Sequence, residues 1–136
     1  MSAPARHPKD HDRTMRTRER LKFRVYAAVR ELVMNSDLYR SRPDFFEPDI
    51  VINVYPDCVD VSTALNEGQV HLLPAEGRAV ALVRFLEELR NGMQRVALSL
   101  GLELSPEGSH HGGTRPVMLL DVPIGYRAIL LRKDRE

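Results

Sequence analysis

One stretch of the chain, residues 77–100, limits the possible folds more than any other. Its apolar side chains recur at spacings of four, three, four, three and four residues, which places them on one stripe of an α-helix: Leu82, Leu86, Leu89, Met93, Val96 and Leu100. A stripe of this kind has to be buried, either by a sheet and another helix of the same chain or by a second copy of the protein. Because the stripe keeps its phase across Gly92, we predict one helix capped by Gly101, with two helices separated by a turn as the alternative.

Residues 50–63 predict a β-hairpin with one buried face. Every second residue is apolar on both sides of Pro56 and Asp57, which form the turn. The resulting register places Val54 opposite Val59, Ile52 opposite Val61 and Ile50 opposite Thr63, with Asn53, Asp60 and Ser62 on the other face. After a turn at residues 66–68, Val70 and Leu72 predict a short third strand that ends at Pro74.

A basic amphipathic helix precedes the hairpin. We expect it to begin near Asp12 or Thr14 and to end at about Asn35, after a disordered basic tail formed by residues 1–11. Its core-facing stripe consists of Leu21, Val25, Ala28, Val29 and Leu32. On a different face lie Arg13, Arg16, Arg20 and Arg24, flanked by Arg18 and Lys22. Residues 1–30 hold nine Lys and Arg against three acids, and the remaining residues hold eleven against sixteen, so a basic segment precedes an acidic body.

The rest of the chain predicts loops and two further strands. Residues 35–49 contain two prolines around Tyr39, Phe45 and Phe46, which indicates a loop or short helical turn held by aromatic side chains. Residues 105–115, SPEGSHHGGTR, predict a mobile loop. Strand-like runs follow at Val117–Leu120 and Tyr126–Leu131, joined by a turn, and residues 133–136 form a charged tail.

These elements predict one α+β domain over residues 12–132. It is a two-layer sandwich of order α-β-β-β-α-β-β, in which the helices cover one face of a mainly antiparallel five-stranded sheet. This order resembles that of the dimeric α+β proteins of the secretion-chaperone type. The resemblance is one of topology over most of the chain and rests on no motif, so it implies no activity.

Composition narrows the class of protein. At 136 residues, with 43% hydrophobic and 29% charged residues, the chain is an ordinary globular domain that can bury a core without metals or disulfides. The sequence has no apolar run long enough for a membrane span, and its N-terminus is charged where a signal peptide needs an apolar core, so we expect a cytoplasmic protein that does not bind membranes. Its single cysteine, Cys58, excludes an internal disulfide and a cysteine cluster for zinc, and its acidic neighbours disfavour a thiolate nucleophile. We expect no cofactor.

Three functional hypotheses follow. The first is a small protein-binding or assembly module, expected to be a homodimer, that uses its long helix or the far face of its sheet, where Val51, Tyr55, Leu73 and Met118 or Leu120 emerge. The second is a nucleic-acid-associated protein in which Arg13, Arg16, Arg20 and Arg24 follow a row of phosphates. The same arginines also suit an acidic protein partner, the acids of the protein's own body, or only solvent.

The third hypothesis is an enzyme with an anion or metal site in the 105–115 loop. Adjacent glycines expose backbone amides there, and His110, His111 and Arg115, with the nearby Thr114, could bind an anion. The spacing matches neither a phosphate-binding loop nor a zinc helix, and a flexible linker explains the same residues. Nothing else in the sequence requires catalysis.

Overall fold

The computed structural model describes residues 8–108 and 113–133, with side chains from residue 15 onward. It contains four helices and five strands within these ranges. The helices are α1 (Pro8–Met34), α2 (Asp37–Ser41), α3 (Glu67–Leu72) and α4 (Arg78–Ser99). The strands are β1 (Ile50–Val54), β2 (Cys58–Ala64), β3 (Leu102–Leu104), β4 (Arg115–Leu119) and β5 (Val122–Arg132).

The five strands form one antiparallel sheet, which confirms the predicted α+β class. Its order is β1-β2-β5-β3, and β4 also pairs with β5. Because β5 is 11 residues long, β4 pairs with its first half and β3 with its last residues along the same edge. The predicted hairpin register is confirmed: Ile50 lies opposite Thr63, Ile52 opposite Val61 and Val54 opposite Val59.

Helices α1 and α4 pack side by side, α1 against β1 and α4 against β5, and cover the inner face of the sheet. The predicted stripe of α4 is buried by the protein's own sheet and α1, so this chain, and not a second copy, covers the long helix. The helix is continuous through Gly92, as predicted. Fully buried side chains at the centre of the core include Val25, Val29, Val59, Leu89, Met93 and Leu130.

Gly92 lies where α1 and α4 approach most closely. A β-carbon built at this position overlaps the side chain of Leu32 in α1. A glycine inside a helix destabilises it by about 1 kcal/mol relative to alanine. Glycine at position 92 therefore weakens the helix but lets α1 pack closely on α4, because the side chain of Leu32 lies against backbone that carries no side chain.

The predicted third strand at Val70 and Leu72 is wrong, because residues 67–72 form α3. The reason is a capping box: the side chain of Asn66 accepts a hydrogen bond from the Gln69 amide, and the Gln69 side chain accepts one from the Asn66 amide. Val70, within this helix, and Leu73, at its C-terminal end, are both buried. The sheet still has five strands, because a strand that was not predicted, β3, directly follows α4.

Other boundaries differ by a few residues. Helix α1 begins at Pro8, earlier than the predicted Asp12 or Thr14. Proline suits a first helical turn because the N–H group that it lacks would have no partner within the helix there. Residues 1–7 of the predicted tail, and residues 134–136, lie outside the described residues. In the segment after α1, Tyr39 packs edge-on against Phe45, with ring centroids 5.5 Å apart, as its aromatic residues predicted. No helix in the described part of the chain is both long and apolar enough to cross a membrane.

Candidate functional site

The N-terminal half of α1 extends beyond the body of the protein. All six residues from Met15 to Arg20 are exposed, whatever direction they face around the helix, and the first buried side chain is Val25. Of the predicted arginine row, Arg16, Arg20 and Arg24 are exposed, and the side chain of Arg13 lies outside the described residues. We call residues 15–24 the basic arm.

The basic arm carries its charges in two rows. With about 3.6 residues per turn, Arg16, Arg20 and Arg24 follow one side of the helix. The prediction that Arg18 and Lys22 flank this row is wrong, because at this spacing they follow the opposite side. The second row is in phase with Val25 and Val29, since positions 18, 22, 25 and 29 share the stripe that enters the core. The stripe thus changes from basic to apolar along α1, and this change is the sequence signal that the helix projects.

The arginines of the arm are not neutralised by the body. Among the described side chains, residues 15–108 and 113–133, no ion pair joins Arg16, Arg20 or Arg24 to a carboxylate. Farther along α1 the pattern differs, because Arg30 donates two hydrogen bonds of 2.8 Å to Glu47. The sequence left open whether the arginine row folds back on acids of the body, and the described arginines do not.

A second surface is the free edge of β1. The Tyr55 amide donates to the Cys58 carbonyl, so residues 51, 53 and 55 direct their backbone groups toward β2. Ile50, Ile52 and Val54 consequently direct their amides and carbonyls away from the sheet. No other described strand pairs with this edge. Its sequence, IVINV, contains no charged residue and no proline, which are the residues that normally protect an edge strand.

An aromatic side chain lies beside this open edge. Phe23 of α1 is 70% exposed. It lines a cleft with Glu19, Lys22 and Tyr26 of the same helix and with Ile50 and Ile52 of β1. The cleft is apolar at its floor and charged at its rim. Phe23 lies off the predicted core stripe, which is the only sequence sign of its exposure.

The opposite edge of the sheet is protected. It consists of two short strands, β3 with three residues and β4 with five, separated by the 105–114 segment. Strand β4 contains Pro116, begins with the exposed Arg115 and is irregular between Val117 and Met118. Proline, charge and bulges hinder pairing with another strand, and so does the three-residue length of β3, whereas β4 is no shorter than β1. The sheet therefore has one edge available for pairing, that of β1, and one protected edge, that of β3 and β4.

The far face of the sheet is open, as predicted, but its composition is mixed. Val51, Tyr55, Met118 and Leu120 are exposed, whereas the prediction for Leu73 is wrong, because α3 and its end carry this side chain into the core. On the far face Arg127 donates hydrogen bonds of 3.1 and 2.7 Å to the two carboxylate oxygens of Asp60. The sequence contained no signal for this pair, because it depends on the pairing of β2 with β5.

The 105–115 loop is fastened at both ends. Glu107 accepts hydrogen bonds from Arg90 of α4 and, at 2.7 Å, from the hydroxyl of the buried Tyr126. These bonds, led by those from Arg90, hold the pKa of Glu107 below its usual value. At the other end, the hydroxyl of the buried Thr114 accepts a 2.9 Å hydrogen bond from the Ile129 amide and fills the gap in the ladder between β3 and β4.

This geometry weakens the predicted anion or metal site. Thr114 is occupied by β5, Arg115 is exposed in β4, and His110 and His111 lie outside the described residues. Within the described ranges, His, Cys, Asp and Glu form no cluster that could hold a metal ion. Cys58 begins β2, and burial, followed by Asp57 and Asp60, raises the pKa of its thiol, which opposes a role as nucleophile.

The groove between α1 and α4 is a large cleft, and part of its charge is paired across it. It has a volume of about 610 Å³ and is lined mainly by polar side chains over Gly92. Glu88 accepts a 2.9 Å hydrogen bond from the Asp37 amide at the start of α2, and Arg84 lies 3.6 Å from the Asp37 carboxylate. These charges hold α2 against α4, and Arg40 and Arg95 also line the cleft.

Comparison with known proteins adds no functional assignment. No protein-family model, curated protein or solved structure matches this chain. The two surfaces described above, the basic arm and the free edge of β1, are thus the features from which a function has to be inferred.

Proposed function

We propose that this protein is a small cytoplasmic binding and assembly module that acts as a homodimer formed through the free edge of β1. The observation that carries the proposal is the absence of any protective residue in the edge strand Ile50–Val54. An exposed apolar edge strand invites uncontrolled pairing, so one without charge, proline or bulge is best explained by a regular partner. The single cysteine, Cys58, forms no disulfide, which suits a reducing compartment such as the cytoplasm.

A second copy of the chain satisfies the edge fully. In an antiparallel pairing centred on Ile52, the outward amides and carbonyls of Ile50, Ile52 and Val54 all find partners in the same three residues of the other copy. A two-fold contact of this kind is closed, because the remaining edge of each sheet is the protected one. Assembly would accordingly stop at two chains.

The proposal is tested by size-exclusion chromatography with light scattering on the protein and on Val51→Lys. Val51 is 52% exposed on the far face of β1, so lysine is compatible with folding there. We expect the protein to have twice its chain mass of 15.5 kDa. In a pairing centred on Ile52, residue 51 lies opposite Asn53 of the other copy, so the two lysines are diagonal neighbours on the far face. Their repulsion and the loss of both Val51 contacts should weaken the dimer by roughly tenfold, equivalent to about 1.4 kcal/mol.

Val83→Lys is the matched control. Val83 is 48% exposed on α4, away from the edge, and the substitution introduces the same charge in place of the same residue. We expect it to remain dimeric at concentrations at which Val51→Lys is a monomer. A monomeric parent protein, or an equal effect of the two substitutions, would refute assembly through β1.

A further inference from the structure

We infer that the basic arm, residues 15–24 of α1, binds duplex DNA by entering its major groove. This inference goes beyond the proposed dimer and does not depend on it, because each chain has its own arm. The arm carries Arg16, Arg18, Arg20, Lys22 and Arg24 against one acid, Glu19.

The dimensions of the arm suit a groove. An α-helix with its side chains is about 10–12 Å across, and the major groove of B-DNA is about 12 Å wide and 8.5 Å deep. A helix can enter only where it is free of its own protein on every side. All six side chains of residues 15–20 are exposed, so this part of the arm is accessible from every direction around the helix.

The arrangement of charge suits a groove better than a flat surface. Arg16, Arg20 and Arg24 lie on one side of the helix, and Arg18 and Lys22 lie on the other. An acidic protein surface would meet one row and leave the second in solvent. In a groove, a phosphate backbone runs along each wall, so both rows find anions together. A groove therefore provides anions for Arg18 and Lys22, which a flat acidic surface would leave in solvent.

The charge of the body supports the same arrangement. Residues 31–136 contain eleven Lys and Arg against sixteen acids, so the body repels DNA while the arm attracts it. A projecting helix separates the two, because it reaches the phosphates while the acidic domain stays outside the groove. The A-form major groove of duplex RNA is deep and narrow, and side chains cannot reach into it, which makes DNA the expected duplex.

The test is fluorescence anisotropy with a labelled DNA duplex of about 20 base pairs, two helical turns, titrated with the full protein at several KCl concentrations. If all five cations release counterions, log K should fall with log[KCl] at a slope of about −4.5, or roughly 500-fold between about 50 and 200 mM. The combined variant Arg16→Gln, Arg20→Gln and Arg24→Gln should reduce the slope to about −1.8.

The matched control removes three exposed arginines outside the arm, Arg40→Gln, Arg95→Gln and Arg115→Gln. It has the same net charge as the arm variant, and we expect it to keep the parent slope. Light scattering on the same samples measures the dimer separately, so a failure of DNA binding is distinguishable from a failure of assembly.

Four results would overturn the inference. They are no binding of DNA at about 50 mM KCl, equal binding by the arm variant and the parent, an equal loss in the control variant, and equal or tighter binding of duplex RNA or labelled poly-L-glutamate. The last result would assign the arm to polyanions in general or to an acidic protein.

Discussion

At position 92, α4 has no side chain, and Leu32 of α1 occupies the space. We predict that Gly92→Ala destabilises the protein, although alanine is the better helix former by about 1 kcal/mol. The added methyl group overlaps Leu32, and overpacking of this kind typically costs about 1–3 kcal/mol. Urea unfolding followed by circular dichroism measures the change. In a protein that already carries Leu32→Ala, the added Gly92→Ala should cost less than it does in the parent, because the overlapping side chain is gone. A Gly92→Ala protein more stable than the parent would contradict close packing at this position.

Single residues also decide what the sequence could reveal. The buried stripe of α4, the core side chains Val25 and Val29, and the turn at Pro56 and Asp57 were all predictable, because their periodicity is repeated over several residues. Asn66 and Gln69 had the spacing of a capping box, yet Val70 and Leu72 also fit a strand. A short segment gives too few repeats to separate the two periods, and the cap decides the outcome.

At the scale of elements, α4, β5 and the 105–108 segment are joined by Arg90, Glu107 and Tyr126. We predict that Glu107→Gln lowers the free energy of unfolding at pH 7 by roughly 0.5–1.5 kcal/mol, since the pair is about one-third exposed and partly screened. Bonds from Arg90 and Tyr126 lower the pKa of Glu107, so the folded state favours its charged form. The stabilisation is therefore present above the usual pKa of 4.5 and is lost as the pH falls through the lowered value.

Urea unfolding of both proteins between pH 7 and about pH 3 tests this prediction, because their difference should narrow in acid. Glu87→Gln is the control: Glu87 bonds the same Arg90 but not Tyr126, and its carboxylate is more exposed. Its effect should be smaller at every pH. A Glu107→Gln difference that stays constant with pH would mean that the charge of Glu107 does not stabilise the fold.

Whole strands differ in how far the sequence could predict them. The β1–β2 register was predictable because a short turn and two alternating patterns fix it locally. Strand β3, three residues long, has no pattern of its own and exists because β5 continues past β4. The free edge of β1, and with it the proposed site of assembly, becomes visible only when the order of all five strands is known.

At the scale of the whole molecule, stability is unevenly distributed along α1. We predict that the amides of residues 15–20 exchange with deuterium at least roughly 100-fold faster than those of residues 25–33. The first segment has no buried side chain, whereas Val25, Val29 and Val33 are fully buried in the core. Short helices without packing are marginal in water. Hydrogen exchange with mass spectrometry measures both segments, and uniform protection along α1 in dilute protein would show that the arm is covered.

The charge of the molecule was predictable from the sequence, but its shape was not. The counts of basic and acidic residues place opposite charges on the arm and the body. They do not show that α1 projects, because an arginine row on a helix can equally lie against its own domain. The change from Arg18 and Lys22 to Val25 and Val29 within one stripe is the detail that a sequence reader could use in another protein.

The chain is anchored shortly before and shortly after residues 109–112, at Glu107 and Thr114. Glu107 is bound by Arg90 and Tyr126, and Thr114 is bound by the Ile129 amide, so each anchor holds without help from the chain between them. Lengthening that connection by many residues adds little closure entropy. A peptide tag or a small foreign domain grafted between the anchors should leave the ladder of β3, β4 and β5 intact, and it would provide a handle far in sequence from both the arm and the β1 edge.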